Sequence, residues 1–194
     1  MKVAILKYNA GNIYSVQLAL RRLGIKALVS DQTEVLEKVE KIIFPGVGHA
    51  GSAMRFLRER QLDVWLRQTA LPVLGICLGM QLMCKHSTEG DTAGMEIFSA
   101  EVRRFSPTLK VPHMGWNQIY GLAGPLFQNV AEGSFVYFVH SYFVGIIPET
   151  VATCHYGRPF SAALQKANFF GVQFHPEKSG RVGEQILKNF LEKC

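Results

Sequence analysis

Leu71-Pro72-Val73-Leu74-Gly75-Ile76-Cys77-Leu78-Gly79-Met80-Gln81-Leu82-Met83 reads as a short buried strand that runs into a helix across a turn carrying a cysteine. The pentapeptide Gly75 to Gly79 is a G-x-nucleophile-x-G pattern with sulfur in the central place. A nucleophile on a strand-to-helix turn sits at a strained, projecting point, and small residues two before and two after relieve crowding there. The helix that leaves turns its first amides and its positive end toward the sulfur, which favours the reactive thiolate. Taken alone, the pattern fits a buried cysteine beside a tight turn equally well.

Working outward, Val3-Ala4-Ile5-Leu6 reads as a buried strand. Asn12 opens a helix with Ile13, Val16, Leu20 and Leu23 on one face, and Gly24 stops it. Ile25–Val29 reads as a second strand and Ile42-Ile43-Phe44 as a third, ending in Pro45-Gly46-Val47-Gly48. Helical spacing then runs from about Gly51 to Ala70, and the helix after Cys77 is expected to continue past Cys84. Such strand–helix alternation predicts an α/β fold, a mostly parallel central sheet with helices on both faces. In the second half, short β-rich runs are punctuated by Gly and Pro: 101–105, 116–120, 135–140, 151–155, 161–165 and 169–174. They predict antiparallel additions to that sheet or a small second sheet. A last helix spans about Gly180 to Lys193, with Cys194 as a frayed end. No repeat or long linker divides the chain, so residues 1–194 are expected to form one domain.

The composition narrows the classes of function. At 48% hydrophobic and 19% charged residues the chain is globular rather than disordered. Its formal charge of +6 is dispersed, with no basic run interleaved with aromatics, so a nucleic-acid partner is not expected. The most apolar region, Phe135–Ile147, is too short to span a bilayer and is interrupted by His140 and Ser141, so no membrane association is expected. No leader pattern is visible at the start, and the four cysteines (77, 84, 154 and 194) are too sparse for a disulfide framework. A reducing, cytoplasmic setting follows as the expectation, with neither metal nor cofactor.

A thiolate needs a proton acceptor, and the acceptor needs an orienting group. Gly171-Val172-Gln173-Phe174-His175-Pro176-Glu177 supplies both. Pro176 disfavours helix at His175, and in extended geometry residues two apart share a side, which would bring Glu177 to the imidazole. His49, His86, His113, His140 and His155 compete as bases, but none has a carboxylate two away across a proline. Acyl transfer also needs donors for a developing oxyanion. The amide after the nucleophile, that of Leu78, is one, and the Pro45–Gly48 turn, through Val47, can supply a second.

Together, Gly75–Gln81 and His175-Pro176-Glu177 resemble the triad-type glutamine amidotransferases, in which a cysteine takes the carboxamide of L-glutamine, releases ammonia and hydrolyses the glutamyl thioester. Further segments are similar to the glutaminase subunits of imidazole glycerol phosphate synthase: Asn12–Val16, Pro45–Gly48, Pro112-His113-Met114-Gly115-Trp116-Asn117, Phe138–Tyr142 and His175–Gly180. The resemblance implies Cys77 as nucleophile, His175 as base and Glu177 as its orienter, without a metal. It implies that Gln81 and Glu89, with backbone at Gly48, Ser141 and Tyr142, hold the amino-acid end of glutamine. It places Asn12, Trp116, Tyr137 and Lys178 toward a TIM-barrel cyclase, the partner that would receive ammonia in histidine biosynthesis. Where many relatives carry an acid at the end of the first strand, this chain has Lys7. The competing expectations are a glutaminase subunit of anthranilate or aminodeoxychorismate synthase, and a non-catalytic subunit on the same fold. The second would lack part of the triad, which is complete here.

Overall fold

Four strands buried along their whole length, Val3–Leu6 (β1), Lys41–Phe44 (β3), Val73–Ile76 (β4) and Phe169–Val172 (β13), form the centre of the molecule. This is the pattern of a parallel sheet covered on both faces. In a computed structural model describing residues 1–8 and 12–194, they belong to a seven-stranded sheet. Its order is β11-β12-β13-β4-β3-β1-β2, where β2 is Leu28–Ser30, β11 Thr150–His155 and β12 Pro159–Lys166. The run from β13 to β2 is parallel, and β11 and β12 add antiparallel at one edge. On one face, Val3, Ile5, Leu74 and Ile76 pack with Val16 and Leu20 of α1 (Ile13–Arg22) and Ile186, Leu187 and Phe190 of α6 (Gly180–Lys193). On the other, Ala4, Leu6, Ile42 and Phe44 pack with Leu36 of α2 (Thr33–Leu36), Met54 and Leu57 of α3 (Ala50–Glu59), Leu62 and Leu66 of α4 (Leu62–Gln68) and Leu78 of α5 (Leu78–Leu82).

The later β segments do both things expected of them. Beyond the two edge additions, β5 (Cys84–Ser87), β6 (Thr92–Ala93), β7 (Phe98–Arg104) and β10 (Tyr142–Val144) form a four-stranded sheet ordered β10-β7-β5-β6. The strands β8 (His113–Ile119) and β9 (Ser134–His140) form an antiparallel ribbon. Among the described residues no helix is long and apolar enough to cross a membrane.

Several local expectations give way to specific contacts. The strand expected from Ile25 begins only at Leu28. Gly24 takes φ +78° and the Ile25 amide bonds back to the Leu20 carbonyl, a Schellman closure that holds Ile25 to α1. The helix expected over residues 51–70 breaks at Gln61, which is left-handed at φ 55°, so that Leu57, Leu62 and Leu66 all bury. The helix after Cys77 ends at Leu82, because the Leu82 carbonyl accepts from the Met95 amide and the Met83 carbonyl from Ile97 and Phe98. Cys84 and His86 therefore lie in β5, not on a helix. Cys194 is not frayed: it packs against the core, and Lys41 Nζ donates to its carbonyl.

Candidate active site

Three neighbouring parallel strands deliver the three chemical elements. β3 ends at Phe44 and runs into Pro45–Gly48, β4 ends at Ile76 just before Cys77, and β13 ends at Val172 shortly before His175. The strands are in register, Gly75 opposite Phe44 and Ile76 opposite Val172, so their carboxyl ends open onto one crevice. Residues 31 apart on one side of the thiol and 98 on the other meet because sheet neighbours need not be chain neighbours.

Cys77 has φ 53° and ψ −108°, a region costly for a residue with a Cβ, on the order of 1–3 kcal/mol. Its amide donates to the Val172 carbonyl at 2.7 Å, which fixes the elbow to β13. Close packing holds the turn beneath it: a Cβ on Gly79 would lie 2.0 Å from the Phe44 carbonyl oxygen, and one on Gly46 would lie 2.4 Å from the Gly79 nitrogen. The α5 helix has only five residues, so individual amides, rather than a long helix dipole, act near the sulfur.

Glu177 reaches the imidazole by a route other than the extended one expected. Pro176–Lys178 is a turn of 3-10 helix capped by His175, and it curls the carboxylate back. His175 Nδ1 and Glu177 Oε1 are 2.8 Å apart, both side chains 1% exposed. The His175 amide donates to the Tyr137 carbonyl at 2.9 Å, and Ser179 Oγ donates to the His175 carbonyl at 2.7 Å, so the backbone that carries the ring is held on both sides. His175 Nε2 completes no hydrogen bond among the described residues, yet Cys77 is near enough to act on it. Burial lowers the proton affinity of the imidazole, and Cys77 and Glu177 outweigh that and raise its pKa to about 10. The imidazole is therefore a strong acceptor for the thiol proton.

A cavity of about 280 Å³ lies over the sulfur. It is lined by Val47, Gly48, Cys77, Leu78, Gln81, Glu89, Ser141 and Tyr142, with Pro112, Val139 and His140, which the sequence reading did not select for the site. Glu89 Oε2 accepts from the Ala50 amide at the start of α3 (2.8 Å). Gln81 Nε2 donates to the Tyr142 carbonyl (3.0 Å) and to Gln173 Oε1 (2.9 Å). The Leu78 amide donates to the Gly46 carbonyl at 3.4 Å, a long bond that a better acceptor can displace. Tyr8 packs against Phe44 with the rings tilted 56° and 5.1 Å between centroids, its hydroxyl donates to the Pro45 carbonyl, and burial pushes its pKa well up.

Trp116, Tyr137 and Lys178 gather on one surface outside the cavity. The Trp116 and Tyr137 rings are 5.9 Å apart, edge to face, and Lys178 Nζ sits 6.0 Å from the Tyr137 centroid. Asn12 is placed differently: its side chain accepts from the Ser15 amide and caps α1. Lys7 is exposed just after β1, and the rest of the segment in which it departs from the family pattern, residues 9–11, lies outside the described residues. His113 and His140 are buried beside the cavity, and burial lowers their pKa to about 4 and about 3. They stay neutral, which sets them apart from His175.

The family model described as glutamine amidotransferase class-I matches residues 5–194. The chain is 55% identical to an imidazole glycerol phosphate synthase subunit HisH of Bacteroides fragilis, over 99% of this chain and all of that one. A HisH subunit of Salmonella typhimurium is 48% identical over the same shares. A solved glutamine amidotransferase superposes with a TM-score of 0.75 at 20% identity, covering 98% of this chain and 97% of that one, a likeness of fold. With the model spanning almost the whole chain and such relatives aligned end to end, the chain belongs to the class-I glutamine amidotransferases, in the branch of the HisH subunits of imidazole glycerol phosphate synthase.

Proposed function

We propose that this chain hydrolyses L-glutamine to glutamate and ammonia through a Cys77 thioester, and passes the ammonia to a TIM-barrel cyclase making imidazole glycerol phosphate and aminoimidazole carboxamide ribonucleotide. The observation that carries the reading is the buried His175–Glu177 pair acting on the one thiol that lines the cavity. His175 Nε2 takes the Cys77 proton, and the sulfur attacks the carboxamide carbon. The Val47 and Leu78 amides receive the oxyanion, each donor contributing about 3–4 kcal/mol when aligned. His175 returns the proton to the leaving ammonia. A water, deprotonated by the same imidazole, then cleaves the thioester and releases glutamate.

Gln81, Glu89 and the backbone of Gly48, Ser141 and Tyr142 would hold the amino-acid end of glutamine; all five line the cavity. The Trp116–Tyr137–Lys178 surface lies on the segments that frame the site and is our choice for the cyclase contact, with Asn12 contributing through the start of α1. Free ammonia in neutral water becomes mostly ammonium, a poor nucleophile, so direct transfer to a docked partner suits the chemistry. The names carried by the full-length relatives favour a cyclase over a chorismate-utilising partner. We place the reaction in one 194-residue domain, in the cytoplasm, where four unpaired cysteines are at home.

The test is glutamate release by wild type and Cys77→Ala, with and without the cyclase. We expect turnover by the wild type, stimulated by the partner, and none by the alanine variant. Turnover retained in Cys77→Ala removes the assignment of the thiol.

A further inference from the structure

One fully buried polar side chain near the thiol has no part in the mechanism above. Gln173 is 0% exposed, in the step between β13 and His175, and its amide donates to the Ala162 carbonyl at 2.8 Å. Its side chain spans the gap between Gln81 and the sulfur, with Oε1 on Gln81 Nε2 at 2.9 Å and Nε2 on Cys77 Sγ at 3.5 Å.

Chemistry alone fixes which end of each carboxamide faces which neighbour. The Tyr142 carbonyl can only accept, so the Gln81 atom 3.0 Å away must be its NH₂. That group also meets Gln173, so the Gln173 atom facing it must be the oxygen. The opposite end of Gln173, aimed at the sulfur, is then an N–H donor. Behind Tyr142 the chain continues with the same polarity. His140 Nδ1 contacts the Tyr142 carbonyl at 2.7 Å and must carry the proton there, so its Nε2 accepts from His113 Nδ1 at 2.9 Å. His113 Nε2 in turn accepts from Asn117 Nδ2 at 3.2 Å.

The sulfur thus has two fixed polar neighbours besides the imidazole, and they pull in opposite directions. The Val139 carbonyl, 3.7 Å away, accepts from the S–H and favours the thiol. The Gln173 N–H donates and favours the thiolate. The geometry points to Gln173 as the hydrogen-bond donor that stabilises the Cys77 thiolate, its carboxamide held in the donating orientation by the Tyr142 carbonyl through Gln81. This deepens the proposed reading of the site and rests on it.

The experiment is alkylation of the full chain by iodoacetamide across pH 5–10, followed at the peptide containing Cys77 by mass spectrometry. Gln173→Met keeps the length of the side chain and deletes the donor. A hydrogen bond to a charged group of ordinary strength shifts the midpoint of the Cys77 profile upward by about one to two pH units. Gln173→Glu keeps an acceptor for Gln81 and turns a carboxylate oxygen to the sulfur, so its midpoint moves further in the same direction. This second variant carries the test if the methionine variant does not fold. Profiles that superimpose on the wild type in the folded variants overturn the role of Gln173. That failure is distinct from failure of the parent reading, which is read from glutamine turnover by Cys77→Ala.

Discussion

Glu177 buries a carboxylate with one oxygen on His175 and the other, Oε2, without a partner among the described residues. Removing its charge therefore separates function from stability. In Glu177→Gln the side chain still fits, but it can present its NH₂ to the ring and select the tautomer with the proton on the wrong nitrogen. We expect kcat for glutamine hydrolysis to fall about 10²–10⁴-fold, with a urea midpoint no lower than wild type. A variant that loses stability but keeps its turnover would show Glu177 to be a structural acid only. Tyr8 makes the opposite case. Tyr8→Phe leaves the buried Pro45 carbonyl without its donor, so the cost should be in stability, about 1–3 kcal/mol by chemical denaturation. Besides Pro112, Val139 and His140 of the cavity wall, sequence reading passed over Gln173. Its one signal is a lone amide in the apolar run Gly171-Val172-Gln173-Phe174, and a residue type cannot disclose which way a carboxamide points until its neighbours are known.

At the scale of elements, the fit of the cysteine elbow on β3 sets the site. The Gly79 Cα lies so close to the Phe44 carbonyl that a Cβ would meet backbone, which cannot rotate away. Gly79→Ala must part β3 from α5, and with them the Pro45–Gly48 turn from the sulfur. We expect a loss near the top of the ~1–3 kcal/mol range for overpacking, together with slower alkylation of Cys77. An alanine variant with wild-type melting and labelling would show that the elbow has slack. The strands β1, β3 and β4, the cap at Asn12 and the whole of α6 were legible because continuous apolar runs and 3.6-residue stripes are local signals. The break at Gln61 and the early end of α5 were not, since the carbonyls of Leu82 and Met83 are claimed by residues 13 to 15 positions on. The His175–Glu177 contact was legible as a pairing but not as a geometry. Proline excluded helix as expected, yet the chain took a 3-10 turn instead of an extended path.

At the scale of the whole molecule, two buried histidines tie the β8–β9 ribbon to the wall of the cavity and make the fold sensitive to acid. His113 stacks on Tyr156 (4.1 Å between centroids) and Phe138 (5.0 Å), and both histidines are 5% exposed. Every ring nitrogen of the pair is engaged in the neutral form, so a proton added to either ring would oppose an existing donor. Desolvation holds their pKa values at about 4 and about 3, against about 6.5 in an unfolded chain. The unfolded state therefore binds more protons than the folded one below pH 6.5. Stability from this pair is fully present above that pH and is lost as pH falls through the folded values. By pH 5 the unfolded chain gains about 2 kcal/mol for each histidine, about 4 kcal/mol for the two. His175 does not add to this trend: its pKa is raised to about 10, so the folded ring keeps its proton across this range, and its contribution is present below pH 6.5 and lost only as pH rises toward the folded value. Urea unfolding should thus weaken steeply between pH 6.5 and 5, while the imidazole resonances of His113 and His140 stay flat over the same range. A normal titration of either ring near pH 6.5 would show that the pair is open to water and that the ribbon is not locked to the cavity wall.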